Sequence, residues 1–244
     1  MPYLNAAPLT AGIEQEVQFV VPSRLAQMLR EGQLDAALVS VAEVLFNDRY
    51  DVLDDTSIAS EGAVFSVHLA HRRPLSEITE IFCDSASLTG VNLLRVLLAE
   101  RGLNPIYRPL TDYDSALDCD AVLLIGDGAI DFRLAPHSHD IFDLGQAWFE
   151  LTGLPFVYAV WALRRDIDHA PLRRALTAAK ELGLKTLEEI IRTHPDYTPA
   201  FRELYFGRHV QFRLGRAEKQ GIARFVELLG KHGFGPVHEP HYVR

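Results

Sequence analysis

Cysteine is scarce in this chain, with Cys83 and Cys119 the two among 244 residues. A disulfide framework is therefore excluded, and because both cysteines sit in apolar, strand-like surroundings we expect buried free thiols. No apolar run approaches the roughly 18 residues of a membrane span, and no basic segment followed by an apolar one opens the chain. We therefore expect the chain to have no membrane span and no signal peptide, and we predict a cytoplasmic protein.

Positive charge is also in deficit, because 24 lysines and arginines face 33 aspartates and glutamates, for a net charge of −9. This balance argues against a nucleic-acid surface, and an anionic ligand would need local donors to hold it. The chain has no phosphate-binding glycine loop with its lysine, no metal-ligand spacing and no nucleophile elbow. We therefore predict no metal, no cofactor and no covalent enzyme intermediate, and we interpret His137 and His139 as surface loop histidines.

Alternating strand and helix signals predict an α/β fold with mostly parallel strands. Strands are expected at residues 16–21, 34–39, 63–70, 80–83, 121–125 and 155–161, with a helix from about 87 to 100 and no strand after 161. Apolar residues at helical spacing then predict two amphipathic helices, one within residues 172–179 and one within 222–229. A strand-rich middle between an N-terminal unit and a helical tail predicts two lobes, residues 1–72 with 165–244 and residues 73–164, around a cleft.

Residues 85–90 follow a buried strand and open a helix. The unpaired N–H groups of that first turn, with the hydroxyls of Ser87 and Thr89, suit a carboxylate or a phosphate. The alternative is that Ser87 only caps the helix. Asn5, at a strand-to-helix turn, can likewise donate to a ligand or only hold the turn, and Asp127 can be an acid or base or a helix cap.

Further polar and glycine positions fall at the predicted strand ends. The glycine turn within residues 123–130 leads from a buried strand into a short helix, as at ligand clefts of open α/β folds. Gly62 permits close backbone approach, and Ser40 can cap the helix after strand 34–39. Ser66 and His68 alternate along one predicted strand, so they share a face, and one face of that strand can line the cleft.

Several short motifs, in their order and spacing, resemble the chorismate dehydratases of the futalosine route of menaquinone biosynthesis, the MqnA family. They comprise residues 3–5 with 8–9, 60–62 with 64 and 66–67, 84–85 with 87 and 89, 126–127 with 129, and 152–156 through 159–161. The resemblance covers nearly the whole chain and implies a type II periplasmic-binding-protein-like fold, two α/β lobes around a ligand cleft. It also implies dehydration of chorismate to 3-[(1-carboxyvinyl)oxy]benzoate. Gly90 departs from the family, where a serine is common.

With this resemblance we predict a catalytic role for Asn5 and Ser66, and substrate contacts from Ser40, Gly62, Ser85, Ser87, Thr89 and Asp127. The turn 85–89 is the expected carboxylate cradle. No motif residue is an obvious base near pH 7, which leaves the enolpyruvyl carboxylate of the substrate itself as a candidate. Two alternatives stay open: a solute-binding or ligand-sensing protein of the same fold, and the sister enzyme that forms 1,4-dihydroxy-6-naphthoate.

Overall fold

A computed structural model describes residues 3–84 and 86–244. Its strands are β1 (Ala36–Ser40), β2 (Tyr50–Ser60), β3 (Val67–His71), β4 (Glu80–Cys83), β5 (Ile106–Pro109), β6 (Ala121–Ile125), β7 (Asp140–Asp143), β8 (Phe156–Arg164) and β9 (His241–Val243). Its α-helices are α1 (Pro22–Arg30), α2 (Val41–Phe46), α3 (Leu88–Ala99), α4 (Gly126–Leu134), α5 (Leu144–Thr152), α6 (Ala170–Lys185), α7 (Leu187–Thr193), α8 (Pro199–Leu204) and α9 (Arg216–Lys231). Short 3-10 helices cover Leu4–Leu9, Leu75–Glu77 and Asp114–Asp118, and a π-helical turn covers Tyr205–His209.

The strands form two separate sheets. The first sheet has the order β1-β8-β2-β9 and the second the order β5-β4-β6-β3-β7. Pairing is mixed: β8 runs antiparallel to β1 and β2, and β3 runs antiparallel to β6 and β7, while β2–β9, β4–β5 and β4–β6 are parallel. The prediction of mostly parallel strands is wrong, because β3 and β8, which begin where the chain crosses between sheets, run against their neighbours.

The strand pairing also bears on the predicted limits of the lobes. Strand β3, which precedes residue 72, pairs within the second sheet, and β8, which ends at residue 164, is central to the first. The chain therefore changes sheets between residues 60 and 67 and again between 143 and 156. We propose these two crossings as the lobe boundaries, because strands that share a ladder belong to one folding layer.

Two predicted strands differ from the structure, and four strands of the structure, β2, β5, β7 and β9, lie outside the predicted ones. Residues 16–21 form turns and irregular backbone, so their apolar alternation does not reflect a strand. The predicted strand 63–70 begins only at Val67, because Phe65 has a left-handed φ of 69° and the carboxylate of Asp143 accepts the N–H groups of Val64 and Phe65. A strand also follows residue 161 after all, since β9 pairs with β2.

Helix α3 lies between the two sheets. It contacts α2 and α9 on the side of the first sheet and β3, β6 and α5 on the side of the second. Most of its residues are buried, which matches its apolar residues on nearly every face. Leu93, Leu94 and Leu97 are fully enclosed in the core. This burial fixes the N-terminus of α3 at the junction of the two sheets.

Candidate active site

A small cavity lies between the two sheets, with about 70 Å³ open to water-sized solvent. The first sheet contributes Ile58 and Tyr158 to its wall, and the second contributes Val67 and Ile125. The start of α3 closes one side. A junction of two sheets is where two-lobed α/β proteins place a ligand.

Five of the predicted site residues line this cavity: Asn5, Ser40, Ser66, Ser87 and Thr89. They come from sequence positions spread over more than a third of the chain and meet only in the fold. Ser85 lies outside the described residues. Gly62 and Asp127 do not line the cavity. Each instead contacts a residue beside the lining: Ser60 Oγ donates to the Gly62 carbonyl, and the Leu4 N–H donates to Asp127 Oδ1 at 3.2 Å.

Asn5 sits in the 3-10 helix Leu4–Leu9, which the contact between Leu4 and Asp127 anchors to the start of α4. Its Nδ2 group donates to the hydroxyl of Tyr205 at 3.4 Å. Its Oδ1 atom is buried and has no hydrogen-bond partner among the described residues. Buried polar atoms are almost always paired, so this oxygen is available to a ligand.

Ser66 lies directly before β3, and its side chain is 1% exposed. The Tyr205 hydroxyl donates to Ser66 Oγ at 2.8 Å, and the Gly126 N–H donates to its carbonyl. His68 does not share the cavity with Ser66, contrary to the shared-face prediction: its buried ring packs near Phe132 instead. The prediction assumed that side chains alternate between the two faces of one strand from Ser66 to His68. This alternation does not hold because the backbone becomes an extended strand only at Val67.

Ser87 occupies the N-cap position of α3 but makes no capping hydrogen bond. Its Oγ atom is buried and has no partner within residues 3–84 and 86–244. A methyl group at Gly90 would overlap this oxygen, so the glycine that departs from the family makes room for the hydroxyl. The interpretation of Ser87 as a simple cap therefore lacks the bond on which it depends.

Thr89, at the start of α3, and Ser40, at the end of β1, contact each other at the junction of the two sheets. Their hydroxyl groups are hydrogen-bonded, and Thr89 Oγ1 also accepts the N–H of Ala42 at 3.1 Å. Ser40 precedes α2 but does not cap it, contrary to the sequence prediction. These two hydroxyls tie the first sheet to the start of α3.

The electrostatics of the site are neutral to weakly positive. No lysine, arginine or histidine lines the described part of the cavity wall, so the positive end of the α3 dipole is the available attraction for an anion. Burial raises the pKa values of Tyr158 and Tyr205 well above the usual range of a phenol, so both stay neutral hydroxyl groups. Burial also raises the pKa of Asp127 to about 6.

The described residues contain no group of three or more histidine, cysteine or acidic side chains arranged to hold a metal ion. His137 and His139 flank the ring of Phe132, and His139 is buried, so the prediction of surface loop histidines is wrong for His139. Cys83 is a buried free thiol, as predicted, while Cys119 is free and half-buried. Within the same residues, no helix has the length and apolar character to cross a membrane.

Comparison with known proteins identifies the family. A sequence model described as menaquinone biosynthesis matches residues 1–231. The chain belongs to this menaquinone biosynthesis family. It is also 33% identical to the chorismate dehydratase of Thermus thermophilus over an alignment that covers 98% of this chain and 96% of that protein.

Solved structures agree on the fold of this menaquinone biosynthesis family member. Protein AF1704 from Archaeoglobus fulgidus has a TM-score of 0.72 at 17% identity, with 96% of each chain covered. The alkanesulfonate-binding protein SsuA from Xanthomonas axonopodis pv. citri has a TM-score of 0.63 at 16% identity, covering 90% of this chain and 83% of that one. The predicted periplasmic-binding-protein-like fold is confirmed.

Two further residues at the site were not predicted from the sequence: Tyr205, which joins Asn5 to Ser66, and Asp143, which holds the turn before Ser66. Asp143 is the last residue of strand β7 and caps α5 by accepting the N–H groups of Gly145 and Gln146. An aspartate before a helical pattern signals such a cap. No local pattern signals Tyr205, because it contacts residues 139 and 200 positions away.

Proposed function

We propose that the chain is a chorismate dehydratase that converts chorismate to 3-[(1-carboxyvinyl)oxy]benzoate and water. The observation that carries this proposal is the 33% identity to the Thermus thermophilus chorismate dehydratase across 98% of the chain. The cavity adds independent support. Among residues 3–84 and 86–244, two buried polar atoms of its lining, Asn5 Oδ1 and Ser87 Oγ, have no hydrogen-bond partner, and a polar ligand would supply one.

The reaction removes one proton and one hydroxyl group from the ring. The hydrogen on the ether-bearing carbon is γ to the ring carboxylate through a double bond, so breaking that C–H bond spreads negative charge onto the carboxylate. The C–O bond to the hydroxyl then breaks, water leaves and the ring becomes aromatic. Donors aimed at the ring carboxylate therefore stabilise the transition state more than the substrate.

We place the ring carboxylate at the start of α3. The Ser87 hydroxyl there has no partner in the described part of the chain, and the helix end presents N–H groups with a partial positive charge. The length of α3, 12 residues, gives it a full dipole. Asn5 lines the same cavity, and we assign it to the hydroxyl-bearing part of the ring.

The proton acceptor in this proposal is the enolpyruvyl carboxylate of the substrate. Asp127, whose pKa of about 6 suits a base near neutral pH, does not line the cavity, and its Oδ1 atom already accepts from Leu4. A weak base suffices because aromatisation drives the elimination. Substrate contacts were predicted for Asp127 and Gly62, but neither lines the cavity. We propose that both act indirectly, through their hydrogen bonds with Leu4 and Ser60.

Entry of the substrate requires the two lobes to move apart. A cavity of about 70 Å³ is far below the roughly 300 Å³ at which ligand pockets begin. The hydrogen bonds between Ser40 and Thr89, and between Tyr205 and Ser66, join the two sides of the cleft. We propose that both break on opening and re-form around the bound substrate, in the manner of a hinged closure.

The test is incubation of the purified protein with chorismate, followed by chromatography and mass spectrometry. A dehydratase yields an aromatic product lighter than chorismate by one water. Binding of chorismate without conversion would instead indicate a solute-binding or sensing protein, and the absence of both binding and conversion would favour the sister 1,4-dihydroxy-6-naphthoate synthase. Cell fractionation tests the cytoplasmic location that we predicted from the sequence.

A further inference from the structure

Tyr205 occupies an unusual place behind the cavity. It begins the π-helical turn Tyr205–His209, a rare conformation that often marks functional positions. Its side chain is 0% exposed, and its ring stacks on Phe201 with 5.7 Å between ring centroids. The hydroxyl is thereby held at a fixed point, where it contacts both predicted catalytic residues.

The single proton of this hydroxyl decides the direction of both hydrogen bonds. Tyr205 donates to Ser66 Oγ at 2.8 Å, so its oxygen is left to accept from Asn5 Nδ2 at 3.4 Å. A phenol has one proton to donate. Since burial keeps this phenol neutral, the proton remains on it near neutral pH.

The same arrangement determines what the two residues offer a ligand. Because the Asn5 amide nitrogen faces Tyr205, its Oδ1 atom is the one left buried without a partner among the described residues. Because Ser66 Oγ already accepts a hydrogen bond from Tyr205, its own hydroxyl hydrogen is free to be donated. Asn5 thus presents an acceptor to the cavity and Ser66 presents a donor.

We propose that Tyr205 is a positioning residue which orients the Asn5 amide and the Ser66 hydroxyl so that the site binds a hydroxyl group of the ligand. The ligand hydroxyl donates to Asn5 Oδ1, and its oxygen accepts from Ser66. In chorismate the ring alcohol is the group that fits, and it is the group that leaves in the elimination. This inference rests on the proposed function for the identity of the ligand, but the orientation of Asn5 and Ser66 does not depend on it.

The main test is the Tyr205→Phe variant, which keeps the ring and removes the hydroxyl. We expect kcat/KM to fall by about 10-fold or more, with kcat lowered and KM raised, because the ligand hydroxyl is held both when the substrate binds and when the hydroxyl leaves. Tyr50→Phe is the matched control, because Tyr50 is equally buried and its hydroxyl contacts Glu43 away from the cavity. The control should lose comparable stability and keep its turnover.

A double-mutant comparison separates positioning from a general structural effect. If Tyr205 acts through Asn5, then adding Asn5→Ala to Tyr205→Phe costs much less than Asn5→Ala costs in the wild type. Adding Asn5→Ala to Tyr50→Phe should instead multiply the two separate effects. A methyl ether of the chorismate hydroxyl should bind the wild type at least about 10-fold more weakly than chorismate, and Tyr205→Phe should reduce that discrimination.

Failure of this inference is distinguishable from failure of the proposed function. If the wild type dehydrates chorismate and Tyr205→Phe does so with unchanged kcat and KM, the role of Tyr205 is refuted and the function stands. If the wild type does not convert chorismate, the NMR signals of the Asn5 side-chain amide still test whether Tyr205 orients this amide. We expect Tyr205→Phe to shift them and speed their exchange with water; unchanged signals would overturn the proposed orientation.

Discussion

The Ser87→Ala variant distinguishes a ligand-binding hydroxyl from a helix cap, because the two roles predict opposite changes in stability. If Ser87 capped α3, alanine would cost about 1 kcal/mol and lower the Tm by roughly 2–4 °C for a chain of this size. In the structure Ser87 is instead 3% exposed, and its buried hydroxyl makes no capping bond and has no partner among the described residues.

A buried hydroxyl without a partner costs about 1–3 kcal/mol, so its removal should stabilise the folded protein. We expect Ser87→Ala to melt at or above the wild-type Tm, by roughly 2–4 °C for each kcal/mol regained. We also expect turnover of chorismate to fall by about 100-fold, or about 2.7 kcal/mol, if Ser87 donates to the charge that develops on the ring carboxylate. Thermal denaturation and initial rates measure the two effects separately.

Ser57→Ala is the matched control, since Ser57 is also fully buried but its hydroxyl donates to the Arg213 carbonyl at 2.7 Å, away from the cavity. This variant should lose about 1 kcal/mol of stability and retain turnover. A Ser87→Ala protein with a lowered Tm and normal turnover would refute the reasoning and return Ser87 to the role of a cap.

Four further predictions follow from the same structure. Asn5→Ala should melt close to the wild type and lose about 100-fold in turnover; a lowered Tm with near-normal turnover would make Asn5 a structural residue. Gly126→Ala should lose about 2 kcal/mol in chemical denaturation, because φ is 60° there and a Cβ atom would lie 2.9 Å from the Tyr3 ring. Burial lowers the pKa of His68 from 6.5 to about 4. The unfolded chain therefore binds the His68 proton first as the pH falls, so between pH 6.5 and 4 the free energy of unfolding should drop by about 3 kcal/mol more in the wild type than in His68→Gln. Turnover should survive exhaustive chelation with EDTA, whereas loss of activity and recovery with zinc would show that a metal takes part.

The parts of the fold that could be predicted from the sequence are those with a strong local pattern. The buried run 121–125 is strand β6, and the helix expected from about residue 87 to 100 is α3, Leu88–Ala99. The strand expected at 16–21 does not form, and none of the described strands pairs with that segment, while β9 is missed because its three residues depend on pairing with β2. Pairing partners and strand direction arise from contacts between distant segments, which local periodicity does not contain.

For the site, too, local sequence pattern predicted some residues, while others depend on contacts between distant segments. Five of the eight predicted residues line one cavity, because each lies at the end of a strand or the start of a helix, where side chains meet between the sheets. The unpartnered state of Ser87 could not be predicted, since its sequence context is that of an ordinary cap. The role of Tyr205 could not be predicted, because the packing of the C-terminal helices is what places its hydroxyl between Asn5 and Ser66.

The central claim, that this cavity dehydrates chorismate, is tested most directly by following chorismate with the wild-type protein and with Asn5→Ala by proton NMR. We predict that the wild type replaces the ring-alkene signals of chorismate with those of a benzoate that keeps its enolpyruvyl group, while Asn5→Ala binds chorismate and leaves its spectrum almost unchanged over the same time. A wild-type protein that binds chorismate and leaves it intact, or an Asn5→Ala variant as fast as the wild type, would contradict the account.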